Sequence, residues 1–195
     1  MDLPPITIPG WTDAGVLPAT DPDDPTSRAR SPYIVSLAAL IARFGFTEER
    51  RRLLSGLLDF RAELHRAGLI QGFQWINGSF VERVEDTADR PPNDVDLVTF
   101  FHIPEGETIQ SLWLSNRDLF DPQIVKARHQ TDAYFAPFNP QAPSDIVKQT
   151  IYWYSLWSHD RNGLWKGFLE VDLSQAEDLQ AKQILDSYIQ SGGEP

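Results

Sequence analysis

The sequence predicts an α+β fold, and three observations carry that reading. Residues 93–101 alternate apolar and polar at first and then become wholly apolar, as a strand buried between two layers does. Upstream, Ile34, Leu37, Ala38, Ile41 and Phe44, then Leu53, Leu54, Leu57, Leu58, Phe60 and Leu64, recur at helical spacing. Between these helices and the strand, Gln74-Trp75-Ile76 reads as a second, short strand from which Gly78 turns the backbone. A chain of 195 residues suits a single core, expected over residues 32–190 behind an irregular arm, residues 1–31.

The arm holds six prolines, and Ile6-Thr7-Ile8 and Trp11 are expected to lie along the body of the domain. Its run Asp21-Pro22-Asp23-Asp24-Pro25-Thr26-Ser27 reads as a solvated loop rather than a metal site. Ser31-Pro32 opens the first helix, with proline at the first helical position, and Gly45 closes it. Thr47 caps the second helix, Glu48 and Glu49 sit in its first turn, and it runs to about Ala67 with Arg50, Arg51 and Arg52 on a solvated face, the alternative being a phosphate patch. Gly68 ends it, and the chain enters the Gly-Ser strand.

Beyond Phe101, Glu105-Gly106-Glu107 makes a turn. One helix is expected from Thr108 to about Leu119 and another from Asp121-Pro122 through Arg128. The aromatic-rich residues 130–138, stopped by a proline, form a strand. A helix from Ser144 carries Ile151, Tyr152, Trp153, Tyr154, Leu156 and Trp157, an aromatic band that reads as core, or with one ring free to stack on a base. Asn162 and Gly163 turn the chain into a strand over residues 165–173. Ser174-Gln175-Ala176-Glu177 reads as the capping box of a last helix lined by Leu179, Ile184, Leu185, Tyr188 and Ile189, whose final residues fray.

Composition narrows the function. The 17 basic residues are outnumbered by 28 acidic ones, for a net charge of −11, which disfavours a grip on duplex nucleic acid. A local basic patch for a single strand or a tRNA end stays open. There is no cysteine, so neither a disulfide framework nor a thiolate metal site is available. No apolar run is long enough to span a bilayer and no signal peptide is evident, so the expected compartment is the cytoplasm, with no membrane partner. His65, His102, His129 and His159 lack zinc spacing, and Walker, dinucleotide and nucleophile-elbow motifs are absent.

The chemistry centres on Asp94 and Asp96. On a strand, residues two apart share a face, so both carboxylates point one way while Val95 faces the other layer. Gathered carboxylates repel unless a positive charge lies between them, and a hard divalent ion that keeps some water and binds substrate phosphates fits that need. The turn at Gly78-Ser79 supplies backbone N–H groups and a hydroxyl suited to phosphate oxygens.

A Gly-Ser turn, a spacer and then Asp-hydrophobic-Asp-hydrophobic resembles the signature of the nucleotidyltransferase superfamily, the polymerase-beta-like fold, and more narrowly the small uncharacterised bacterial nucleotidyltransferase-like proteins. The resemblance covers residues 32–138, and more loosely extends to 173. It implies a mixed sheet flanked by helices, and it implies Mg2+ or Mn2+ on Asp94 and Asp96. It further implies an NTP, ATP by default, with its β- and γ-phosphates at Gly78 and Ser79. A third carboxylate from a later strand belongs to the pattern; Asp132 takes that position as metal ligand or proton acceptor, the alternative being an acid that caps the start of its strand. Glu170 and Asp172 are rivals, ranked lower because polar-out alternation explains them.

The chain departs from the pattern in its long, acidic spacer, residues 80–93. Within it Arg83 is either a phosphate contact or a surface partner of Glu82 or Glu85; Lys166 is either a phosphate contact or an exposed lysine. The implied activity is transfer of NMP to a hydroxyl on a protein, a small molecule or an RNA end. The alternative is a non-catalytic, antitoxin-like module that binds a nucleotide or a partner protein. A sugar-nucleotide glycosyltransferase also uses Asp-x-Asp, but too little chain precedes Asp94 for its nucleotide-binding half.

Overall fold

Two apolar faces on one strand dictate two layers. In a computed structural model, which describes residues 7–21, 23, 24 and 26–191, the strand at the centre of this argument spans Val95–His102. Val95, Leu97 and Phe101 face one cluster of buried side chains, and Val98 and Phe100 face another. Period two puts Asp96 on the second face, at its open end. Residues 1–6, Pro22, Pro25 and the C-terminal end, residues 192–195, lie outside the described residues, and with them the expectations for Ile6 and for the fraying terminus.

The elements are β1 (Tyr33–Ile34), α1 (Leu37–Phe44), α2 (Glu48–Arg66), β2 (Gly72–Asn77), a 3-10 turn (Gly78–Val81) and α3 (Val84–Ala88). There follow β3 (Val95–His102), α4 (Ile109–Ser115), α5 (Arg117–Phe120), α6 (Pro122–His129), β4 (Thr131–Phe138), α7 (Pro143–Trp157), β5 (Leu169–Asp172) and α8 (Asp178–Gln190). The sheet has five strands in the order β1-β5-β2-β3-β4. β1 runs parallel to β5 and β3 parallel to β4, while β2 is antiparallel to both β5 and β3. This is a mixed α+β fold with helices flanking a mixed sheet.

The larger cluster lies under α1, α2 and α8, with Leu40, Ile41, Leu57, Leu64 and Leu185 against Ile76, Leu97 and Val171. The smaller one is aromatic: Trp153 and Trp157 of α7 pack on Trp75, Phe100 and Phe168. The band on α7 is therefore only half core. Ile151, Tyr152 and Leu156 are exposed on its outer side, because one helix face suffices to cover the sheet.

Several local expectations give way to tertiary partners. Ser31-Pro32, joined by a cis peptide bond, does not begin a helix: Tyr33–Ile34 is drawn onto the edge of β5, and α1 starts later with Ser36 Oγ accepting from Ala39 N at 3.0 Å. Thr47 caps α2 as expected, accepting from Arg50 N at 3.2 Å. The helix expected from Thr108 to Leu119 breaks at Asn116 into α4 and α5.

Ser174 does not cap α8, which begins at Asp178; Glu177 instead reaches the start of α1, its carboxylate accepting from Leu37 N at 2.6 Å. Leu179 and Ile189 point outward, and Ala181 and Leu185 make the buried face of α8. Trp165 lies outside β5, in an isolated bridge with His159.

Charge is buried where the sequence suggested solvent. Arg50 is fully buried and Arg51 nearly so, contrary to the solvated face expected of them. Arg50 donates to the backbone oxygens of Phe80 and Glu82, each at 2.6 Å, and pairs with Glu85 at 2.6 Å. Phe44, Phe46 and Phe80 surround its guanidinium. Arg61, also buried, links Asp178 through Gln74 to Thr99 at distances of 2.7, 2.7 and 3.0 Å. A polar chain thus crosses the larger core fully hydrogen-bonded, which offsets the cost of its burial.

Ile8 and Trp11 of the arm lie against the body of the domain as expected, and the residues after them are built into it. Val16, Leu17 and Ala19 are buried, Leu17 O accepts from Gly167 N at 2.7 Å, and Gly15 O accepts from Arg83 N at 2.7 Å. Trp11 donates to Val81 O at 2.8 Å and packs edge-on against Phe44. The Asp21 loop closes on itself, Asp21 Oδ1 accepting from Asp23 N at 2.9 Å. Among the described residues no helix is long and apolar enough to cross a membrane.

Candidate functional site

Strand register assembles the site. Asn77 of β2 is the partner of Asp96 of β3, and Asp96 is the partner of Asp132 of β4. Three polar side chains thus form one row across three strands, on the face that α7 covers. The next row, Trp75, Val98 and Tyr134, carries the apolar floor beneath Trp153 and Trp157. Where α7 ends, the cover ends, and a cavity of about 790 Å³ opens over the polar row.

That cavity brings together Asp94, Asp96, Asp132, Gly78 and Ser79, the five residues singled out in the sequence. Gly78 has φ +73, a conformation that favours glycine, and a Cβ added there would collide with the Asp96 carboxylate. The turn that leads out of β2 and the acid on β3 are therefore fitted to each other.

Asp94, one residue before β3, and Asp132, the second residue of β4, share a cation: Lys126 Nζ lies 2.7 Å from Asp94 Oδ2 and 3.3 Å from Asp132 Oδ2. Lys126 is in the last turn of α6, and Gln130, with φ 52, reverses the chain so that this turn lies beside the start of β4. Hydrogen bonding to Asp94 raises the Lys126 pKa above its usual value. Asp96 lies deeper. Burial, then the charges of Asp94 and Asp132, push its pKa up to about 6, with Lys126 and Lys166 opposing the rise.

Two expected phosphate contacts are placed differently. Arg83 pairs with Asp86 at 2.7 Å, not with Glu82 or Glu85, and stays outside the cavity. Lys166 lines the cavity but is buried rather than exposed, and it pairs with Glu82. Glu170 is on β5, beyond β2, where it accepts from Trp75 Nε1 at 2.8 Å, and Asp172 accepts from Ser174 N at 2.6 Å. Neither rival acid faces the cavity.

Reading the sequence missed Lys126, Asn77 and Arg50. Asn77 donates to Trp157 O at 3.1 Å, tying the end of α7 to β2, while its Oδ1 is buried without a hydrogen-bond partner. Arg50 fixes the two carbonyls that follow the Gly-Ser turn. A lysine in the helical turn just before the Asp132 strand was the available signal for Lys126.

A protein-family model matches residues 9–172. The chain belongs to DUF6932, a family of unknown function. No curated protein and no solved structure matches it. The DUF6932 match takes in all three strands of the polar row, the Gly-Ser turn and most of the arm.

Three carboxylates and a buried amide oxygen without a hydrogen-bond partner are hard oxygen donors of the kind Mg2+ and Mn2+ take, so the residue set fits. As arranged, Asp94 and Asp132 turn to Lys126, and among the described residues no three acids or histidines are grouped as a metal site.

Proposed function

We propose that this chain is a metal-dependent nucleotidyltransferase with a polymerase-beta-like fold, moving NMP from an NTP, ATP by default, to a hydroxyl acceptor. The supporting observation is the polar row of Asn77, Asp96 and Asp132, with Asp94 beside it, opening into the same cavity as the Gly78-Ser79 turn. Asp94, Asp96 and Asp132 would hold Mg2+ or Mn2+, which when bound neutralises charge on the attacking and leaving oxygens. The Gly78 and Ser79 backbone would hold the β- and γ-phosphates.

In the transfer, the acceptor oxygen bonds to the α-phosphorus and the bond to the β-phosphate's bridging oxygen breaks, releasing pyrophosphate. The acceptor proton passes to Asp132, the carboxylate that the resemblance sets beside the acceptor hydroxyl. The acceptor belongs to a protein, a small molecule or an RNA end.

A second reading is a non-catalytic module that binds a nucleotide or a partner protein. The Lys126 ion pairs favour it, since they satisfy Asp94 and Asp132 without a metal. One experiment separates the two. Incubation with α-labelled NTPs, Mg2+ or Mn2+ and cell lysate should label an acceptor, and Asp94→Asn should abolish the label. Binding of nucleotide without any transfer supports the module.

A further inference from the structure

Asp94 and Asp132 are held by one ammonium, and the side chain that carries it is half open to solvent. The Lys126 side chain is 50 % exposed and reaches the two carboxylates on a flexible stem. Half-exposed ion pairs of this kind are weak and easily exchanged. Asp96 is left over: among the described residues no basic group is within ion-pairing distance of it, although it shares the cavity with both other acids. A singly charged group thus satisfies two carboxylates of a set of three.

We infer that Lys126 is an exchangeable internal counter-ion that sets the cation affinity of the Asp94, Asp96 and Asp132 site, a divalent ion binding only by displacing it. The inference rests on the proposed metal site, and it adds a residue that selects what occupies that site. Coulomb attraction supplies the selectivity. A doubly charged ion draws on all three carboxylates, whereas a monovalent ion gains no charge over the ammonium it must displace. Lys126 also holds Asp94 and Asp132 to one cation before the divalent ion arrives. The cost is weaker divalent binding.

The probe is Mn2+ alone, its free concentration followed by electron paramagnetic resonance as it is titrated with the full chain. Lys126→Met should bind Mn2+ more tightly than wild type, roughly three- to thirty-fold, the range for losing two half-exposed ion pairs. Lys148→Met, which removes a charge from an exposed pair with Asp145 elsewhere, should stay within about twofold of wild type. Asp96→Asn should lose the binding.

A measurement on the unaltered protein guards against a misfolded variant. Acetylation of Lys126, read by mass spectrometry against Lys148 as internal standard, should quicken when Mn2+ is added. Equal or weaker Mn2+ binding by Lys126→Met, or unchanged labelling of Lys126, overturns the inference and leaves the metal site standing. No Mn2+ binding by wild type or by Lys126→Met overturns both.

Discussion

Gly78 and Asp96 occupy one space: the turn that leaves β2 has no side chain because the carboxylate of β3 fills the volume a Cβ would take. Gly78 also has φ +73, so any other residue there is strained as well as crowded. Gly78→Ala should therefore lower stability by about 1–3 kcal/mol and displace Asp96. The urea midpoint measures the first effect and Mn2+ titration the second. Gly163, also at positive φ but with open space around it, supplies the control. Gly163→Ala should show the strain without the loss of cation binding.

Asp96 makes stability depend on pH in an unusual direction. Its folded pKa of about 6 exceeds the ordinary aspartate value of 3.8, so the folded state holds a proton that the unfolded chain has released. The contribution of this group is fully present below about pH 4, falls as pH rises towards 6, and is lost above it. In metal-free buffer Asp96→Asn should be more stable than wild type at pH 7.5, by about 1–3 kcal/mol. The advantage should vanish at pH 4. Thermal melts of both proteins with chelator across this range check it, and equal differences at the two pH values would remove burial of the charge as the cause.

Arg50 carries the segment after the Gly-Ser turn. Removing it leaves two backbone oxygens and Glu85 without their donor inside the protein. Arg50→Met should cost about 3–5 kcal/mol in chemical denaturation. Arg52, exposed on the same helix, should cost under about 0.5 kcal/mol when changed to Ala. Similar costs at the two positions would contradict the role given to Arg50.

Lys166 and Glu82 form a nearly buried pair on the wall of the cavity. Lys166→Met leaves the Glu82 carboxylate without its partner, so about 1–3 kcal/mol of stability should be lost. The double substitution Lys166→Met with Glu82→Gln should recover part of it. A double-mutant cycle measures that coupling, and a coupling near zero would show that the pair is not formed in solution.

The site's acids were legible because strand periodicity is local. Period two places Asp96 on its face of β3 and the strand after α6 carried Asp132, while Asp94, expected on the same strand, lies one residue before it and still lines the cavity. Their partners were not legible. Helical spacing puts Arg50, three and four residues before Leu53 and Leu54, on the buried face and Arg52 off it, but its partners, the carbonyls that follow the Gly-Ser turn, could not be read from the sequence. Lys166 and Glu82 are 84 residues apart and meet only through β5.

Cap signals misled in two places for one reason. Proline after Ser31 and the Ser174–Glu177 spacing both suit a helix start, but the β5 edge claimed Tyr33, and Glu177 was claimed by the N-terminus of α1. Local propensity loses where a distant backbone group offers a better hydrogen bond.

The most direct test of the cation site is a crystal of the full chain grown with Mn2+ and a non-hydrolysable ATP analogue, read by anomalous scattering. The account predicts a manganese peak bounded by Asp94, Asp96 and Asp132, with the triphosphate at Gly78 and Ser79 and Lys126 swung away from the carboxylates. Nucleotide bound elsewhere, or Lys126 still bridging Asp94 and Asp132 with no peak between the acids, would contradict it.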